Sequence, residues 1–190
     1  MKFLLILTIL FTLPAFSSDG GCKVSIDSDD IEVKWTGYKF PGKDKAGVSG
    51  TLRNLGLEES YSGKSLESIL KGLKFNIDSR SVWSRNSMRD ARLVKFFFGK
   101  MSSTMITGNI IELKDNKLTL KLIMNGLAKN ITLDVVQKAN RFEATGVIDI
   151  LEFGMNKSLA AINKACFDLH KGKTWNDVQI ILALTHGKDC

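Results

Sequence analysis

Apolar and polar positions alternate along most of this chain. Leu118, Leu120, Leu122 and Met124 form the clearest series, with Thr119 and Lys121 between them. Ile31, Val33 and Trp35 alternate with Glu32, Lys34 and Thr36, after an irregularity at Ser28-Asp29-Asp30. Leu73, Phe75 and Ile77 alternate with Lys74, Asn76 and Asp78, and Ile131, Leu133 and Val135 continue the pattern. A period of two sends successive side chains to opposite faces, so each run predicts a half-buried strand. Val48–Leu52, Met105–Leu113, Arg141–Leu151 and Val178–Thr185 predict further strands. Turn residues separate them at Pro41-Gly42, Lys114–Lys117, Asn125-Gly126 and Ala139-Asn140. About seven strands on short connections predict an antiparallel barrel or sandwich.

Three segments break the alternation. Ser65 to Gly72 predicts a short helix with Ser65 as cap and Gly72 as stop. Ser158 can cap a longer helix whose stripe is Leu159, Ile162, Cys166 and Leu169, ending at Gly172. Between them, Ser87 followed by Asp90 suits a helix start, and Met88, Arg92 and Lys95 fall at helical spacing. That segment runs into Phe96, Phe97 and Phe98. A strand leading through a charged helix into an aromatic cluster suggests one end of an apolar cavity with polar groups at its rim. Asn54 to Gly63 reads as a polar, turn-rich connection, and no internal repeat or linker divides the chain.

Composition narrows the picture. Lys2, the apolar run Phe3–Leu13 and Ala15-Phe16-Ser17 read as a signal peptide, residues 1–17, cleaved after Ser17. The run falls short of the ~20 residues that span a bilayer. Residues 18–190 are then one exported, soluble domain with a core of its own. The net charge of +7 is spread along the chain with acidic neighbours, unlike the clustered cations of a nucleic-acid binder. It is compatible with a weak, transient contact with anionic membrane surfaces.

Candidate chemistry is sparse. The chain has two histidines, no Gly-x-Ser-x-Gly elbow and no phosphate-binding glycine loop. Glu58-Glu59 and Asp29-Asp30 are adjacent, so on a strand their carboxylates point apart. No catalytic residue is nominated. Cys166-x-x-x-His170 and His186-x-x-x-Cys190 superficially resemble zinc pairs. The second pair lies at a strand end and in the tail, and export favours a disulfide, so no metal is expected. Of Cys22, Cys166 and Cys190, the pairing Cys22–Cys166 is preferred because it avoids the fraying chain end and closes a long loop. Cys22–Cys190 is the alternative.

The landmarks appear in a distinctive order. They are Val33–Lys39 (VKWTGYK), Val48–Thr51 (VSGT), Ile77-Asp78-Ser79, Met88–Leu93 (MRDARL) and the three phenylalanines. Leu118-Thr119-Leu120, Asn125–Lys129 (NGLAK), Glu152–Met155 (EFGM) and Val178-Gln179-Ile180 complete the series. As a set they resemble the YceI-like family of exported lipid-binding proteins. The resemblance implies a mainly β fold, an extended antiparallel lipocalin-like barrel of about eight strands with one helical insert. It further implies a periplasmic, non-enzymatic carrier holding a long apolar molecule in the lumen: a polyisoprenoid, an isoprenoid quinone or a fatty amide. Such a lipid would be its only bound group, with no other cofactor. The expected lining is Trp35, Phe75, Ile77, Met88, Leu93, Phe97, Leu120, Leu122, Met124 and Phe153, with Arg89 and Arg92 at the rim for the head group. Phe96 and Phe98 are left out because a strand there would turn them opposite to Phe97. Two features depart from the family pattern: a longer helical insert over Asn156–Gly172, and Asn125 where a histidine is common. The rival reading is a ligand-free barrel acting as a protein-interaction or stress-response module, and an exposed edge strand would let two copies pair.

Overall fold

The computed structural model describes residues 23–38, 47–170 and 173–189. The expected signal peptide, Cys22, the Pro41-Gly42 turn, Gly172 and Cys190 lie outside them. In chain order the strands begin with β1 Lys23–Ile26, β2 Ile31–Tyr38, β3 Gly47–Leu52, β4 Leu55–Leu57 and β5 Tyr61–Gly63. They continue with β6 Lys74–Asp78, β7 Val82–Trp83, β8 Met105–Lys114 and β9 Lys117–Met124. The last are β10 Leu127–Lys138, β11 Arg141–Asp149, β12 Asp177–Thr185 and β13 Gly187–Asp189. The large antiparallel sheet has the order β4-β6-β8-β9-β10-β11-β12-β2-β3-β7.

Chain continuity rolls this sheet up. β3 and β4 are two halves of one strand bent at Arg53-Asn54, and β6 and β7 are halves of another bent at a 3-10 turn, Ser79–Ser81. β3 pairs with β7 while β4 pairs with β6. Across the bend, the Arg53 backbone N–H donates to the Ser81 carbonyl at 3.4 Å and to its Oγ at 3.1 Å. Ten ladder segments therefore trace the eight strands of a curled, lipocalin-like barrel. Two of its hairpins use two-residue turns, with φ of 51° and 56° at Asp115 and Asn116, and 53° and 79° at Asn125 and Gly126. Both turns need positive φ at each position, which Asn, Asp and Gly tolerate best. The segment Asn54–Gly63 is not simply a loop, because β4 and β5 lie within it. Each is only three residues long, too short for alternation to reveal.

One end of the barrel is solid. β1 sits between β13 and β5 in a separate three-stranded sheet that, with α1 (Leu66–Leu70), packs against this end. Ser65 caps α1 by accepting from the Ser68 N–H, and Gly72, at φ 86°, follows its end, as expected. Ile26, Leu70, Leu73, Ile110, Leu118, Leu133, Phe142 and Leu184 are almost wholly buried in this half. Each such side chain contributes roughly 1.5–3 kcal/mol by leaving water, so much of the stability resides here.

Helices cover the other end. They are α2 (Ser87–Arg92), a π turn over Leu93–Phe97, a 3-10 turn over Phe98–Lys100, α3 (Asn156–Ala165) and α4 (Phe167–His170). Asn86, one residue before the expected Ser87, caps α2 by accepting from the Arg89 N–H. The expected helix start at Ser158 is corrected too. A 3-10 turn over Ile150–Phe153 and left-handed Gly154 lead the chain into α3 at Asn156, which leaves Ser158 buried inside the helix. The helix breaks at Cys166, and the expected stop at Gly172 lies outside the described residues.

Cys166 is buried beside Tyr38 and Thr174, at the helix-covered end. Its expected disulfide partner Cys22, and the alternative partner Cys190, lie outside the described residues.

Asp78 supports the bend between β6 and β7. Its carboxylate accepts from the Arg80 backbone N–H at 3.0 Å and from the Arg80 guanidinium at 2.7 Å. The hydrogen bond from Arg80 holds the Asp78 pKa below the ordinary carboxylate value. A depressed carboxylate stabilises the fold above its unfolded pKa of ~3.9, and the contribution disappears as pH falls through the folded value. Asp78→Ala is expected to cost roughly 1 kcal/mol at neutral pH. In urea unfolding the gap from wild type should narrow steadily below pH ~4; a gap independent of pH would show that the carboxylate charge is irrelevant.

Candidate ligand-binding cavity

Between the solid end and the helices the barrel keeps a cavity of about 140 Å³. Its walls are Trp35 from β2, Ile106 from β8, Met124 from β9, Ile148 from β11, and Val178 and Ile180 from β12. Leu93, Phe97 and Phe98 from the π and 3-10 turns, with Ile162 from α3, form its roof. An outer pocket of about 430 Å³ adjoins the cavity and shares Trp35, Gly37, Leu93, Ile162 and Thr174 with it. The outer pocket adds Tyr38, Met88, Arg89, Arg92 and Leu169. An apolar chamber thus lies against an outer pocket, the mouth, lined by Arg89 and Arg92.

Local geometry sets the walls. The Trp35 Nε1–H donates to the Thr51 carbonyl at 3.4 Å, and its ring lies over Gly50. A Cβ on Gly50 would stand 2.6 Å from that ring and 2.6 Å from the Trp83 carbonyl, so only glycine leaves the indole in place. In the roof, a π turn advances more residues per turn than an α-helix, which brings Leu93, Phe97 and Phe98 to one side. Phe97 and Phe98 meet edge to face, with centroids 5.1 Å apart.

Asn125 braces the turn that follows the cavity residue Met124. Its side-chain carbonyl accepts from the Ser102 N–H at 2.7 Å, and its amide donates to the Phe153 carbonyl at 2.8 Å. It thereby ties the β9–β10 turn to the segments on either side. Asp90 is likewise engaged, accepting from the backbone N–H and hydroxyl of Ser84. Among the described residues, neither Arg89 nor Arg92 forms an ion pair.

The expected lining divides in two. Trp35, Leu93, Phe97 and Met124 line the inner cavity, and Met88, Arg89 and Arg92 the outer pocket. Phe75, Ile77, Leu120, Leu122 and Phe153 are corrected to core positions: they are 1–7% exposed and reach neither space. Phe98 joins the lining because the segment is helical, so the strand argument that excluded it does not hold. Ile106, Ile148, Ile150, Ile162, Trp175, Val178 and Ile180 were not identified from sequence. Their inward direction was readable in several cases from alternation; their level along the barrel was not.

A curled antiparallel barrel with an apolar lumen and a polar mouth defines a lipocalin-like fold of the ligand-holding type. The YceI-like domain profile matches residues 24–185, and the chain belongs to that family. Its fold is similar to that of a polyisoprenoid binding domain from Saccharophagus degradans, at 13% identity and a TM-score of 0.58, covering 87% of this chain and 98% of that one. It is similar to Burkholderia cenocepacia BcnA, at 15% identity and a TM-score of 0.55, covering 84% and 98%. It is also similar to the Campylobacter jejuni YceI protein, at 17% identity and a TM-score of 0.52, covering 96% and 99%. A comparison with curated proteins finds no match.

Proposed function

We propose that the chain is an exported, periplasmic binding protein that holds one long apolar chain in the barrel, and that it is not an enzyme. The observation that carries this reading is the apolar cavity set directly against the arginine-bearing outer pocket, with lining residues common to both. Each methylene moved out of water contributes ~0.8 kcal/mol, so a chain threaded through both spaces binds tightly with few polar contacts. Its head group would meet Arg89 and Arg92, where charge-assisted hydrogen bonds favour an anionic or strongly polar end. Family membership and the polyisoprenoid binding domain among the similar folds support an isoprenoid as the chain. The leader-like first seventeen residues support export.

The test is extraction. Protein purified without detergent from its own cells should show, in native mass spectrometry, an extra mass that leaves with organic solvent. A clean ligand-free mass, together with no uptake of added polyprenols, isoprenoid quinones or fatty amides, would favour the ligand-free interaction barrel.

A further inference from the structure

We infer that the helical end of the barrel is a docking face for an anionic lipid bilayer, placed so that ligand passes between membrane and lumen through the mouth. The inference rests on the lumen being the ligand site, and its test keeps the two apart. Met88, Phe167 and Leu169 are 68%, 62% and 61% exposed, an unusual degree for large apolar side chains. Met88 and Leu169 flank the same opening from α2 and α4, and Phe167 lies at the start of α4, two residues before Leu169 and on the other side of the helix.

The charge around them supplies the second observation. The segments 86–100 and 156–170 carry Arg89, Arg92, Lys95, Lys100, Lys157 and Lys164 against only Asp90 and Asp168. Asp90 is already engaged by Ser84. Exposed apolar side chains on elements with an excess of cations are the combination that inserts into the headgroup region of an anionic membrane. An insoluble chain leaving the outer pocket on this face would enter lipid directly and avoid exposing its methylenes to water.

The experiment is sedimentation of the full chain with vesicles of phosphatidylglycerol and phosphatidylcholine, and with vesicles of phosphatidylcholine alone. Wild type should bind the anionic vesicles and release them as salt is raised. Phe167→Ser/Leu169→Ser should weaken that binding by about tenfold or more. The control Val136→Ser/Val147→Ser removes equally exposed apolar groups from β10 and β11, and should bind like wild type. Equal binding by wild type and the α4 variant, or equal losses in both variants, overturns the docking face. Uptake of an isoprenoid in vesicle-free solution is measured in parallel. If uptake fails while vesicle binding persists, the lumen reading falls and the docking face stands.

Discussion

Val178→Phe is expected to weaken ligand binding by about a hundredfold with little change in stability, whereas Leu120→Gln is expected to do the reverse. Val178 lines the inner cavity and stands opposite Gly37 on β2. The nearest atom to a Cβ built on Gly37 is 3.9 Å away, in the Trp35 ring, so there is room for a benzyl group to turn inward. Phenylalanine adds four carbons over valine and displaces a similar number of ligand methylenes. At ~0.8 kcal/mol each this removes about 3 kcal/mol of binding, which is roughly two powers of ten. Filling an apolar void offsets the strain of insertion, so the unfolding midpoint should move by no more than the equivalent of ~1 kcal/mol.

Leu120 also points inward, yet it is 3% exposed and touches neither cavity. It packs in the solid part of the barrel, opposite Ile110 and Ile131 in the sheet. Glutamine there loses the apolar transfer energy and buries an amide without a partner. Together these cost about 3–5 kcal/mol. The fraction that remains folded should bind within about twofold of wild type, since nothing in the ligand's path has changed. Urea unfolding and titration with a fluorescent isoprenoid analogue measure the two effects. Strong loss of binding in Leu120→Gln with none in Val178→Phe would move the site to the other half of the barrel.

This contrast also shows what could be read from residues alone. Alternation correctly turned Leu118, Leu120, Leu122 and Met124 inward as a set, because a strand's faces follow from its period. Only Met124 lines the cavity. Which level is filled depends on β1, β5, β13 and α1 closing one end, and that closure joins residues from opposite ends of the chain. No local window contains it. Phe98 was missed for a different reason. The charged helix was legible from Met88, Arg92 and Lys95, but its continuation as a π turn was not, and a change of period reverses which phenylalanine faces in. Barrel closure was legible only as an expectation about strand number. The bends at Arg53-Asn54 and Ser79–Ser81, which let two strands each contribute two ladder segments, carry no pattern longer than three residues.

Gly108→Val should destabilise the protein by about 4 kcal/mol, although strand propensity alone predicts the opposite sign. Glycine in a strand interior is unfavourable, and valine is among the best strand formers, a difference of ~1 kcal/mol. Here Gly108 on β8 stands opposite Phe75 on β6, and opposed residues share a face. The Phe75 ring crosses the glycine so closely that a Cβ would lie 2.1 Å from its Cζ and 2.4 Å from its Cε1. The ring is 7% exposed, so moving it disturbs the buried core and is not a simple rotation into water. Overpacking of this kind costs ~1–3 kcal/mol per intrusion, and valine's two methyl groups extend the clash. The steric term therefore outweighs propensity. Gly108→Ala should be intermediate, at ~2 kcal/mol. Gly108→Ala/Phe75→Leu should cost less than the sum of its single changes, because the smaller side chain vacates the space the new Cβ needs. Chemical unfolding of the four variants measures the cycle. Additive costs, or a stabilised Gly108→Val, would show that Phe75 does not depend on the glycine and that propensity governs this position.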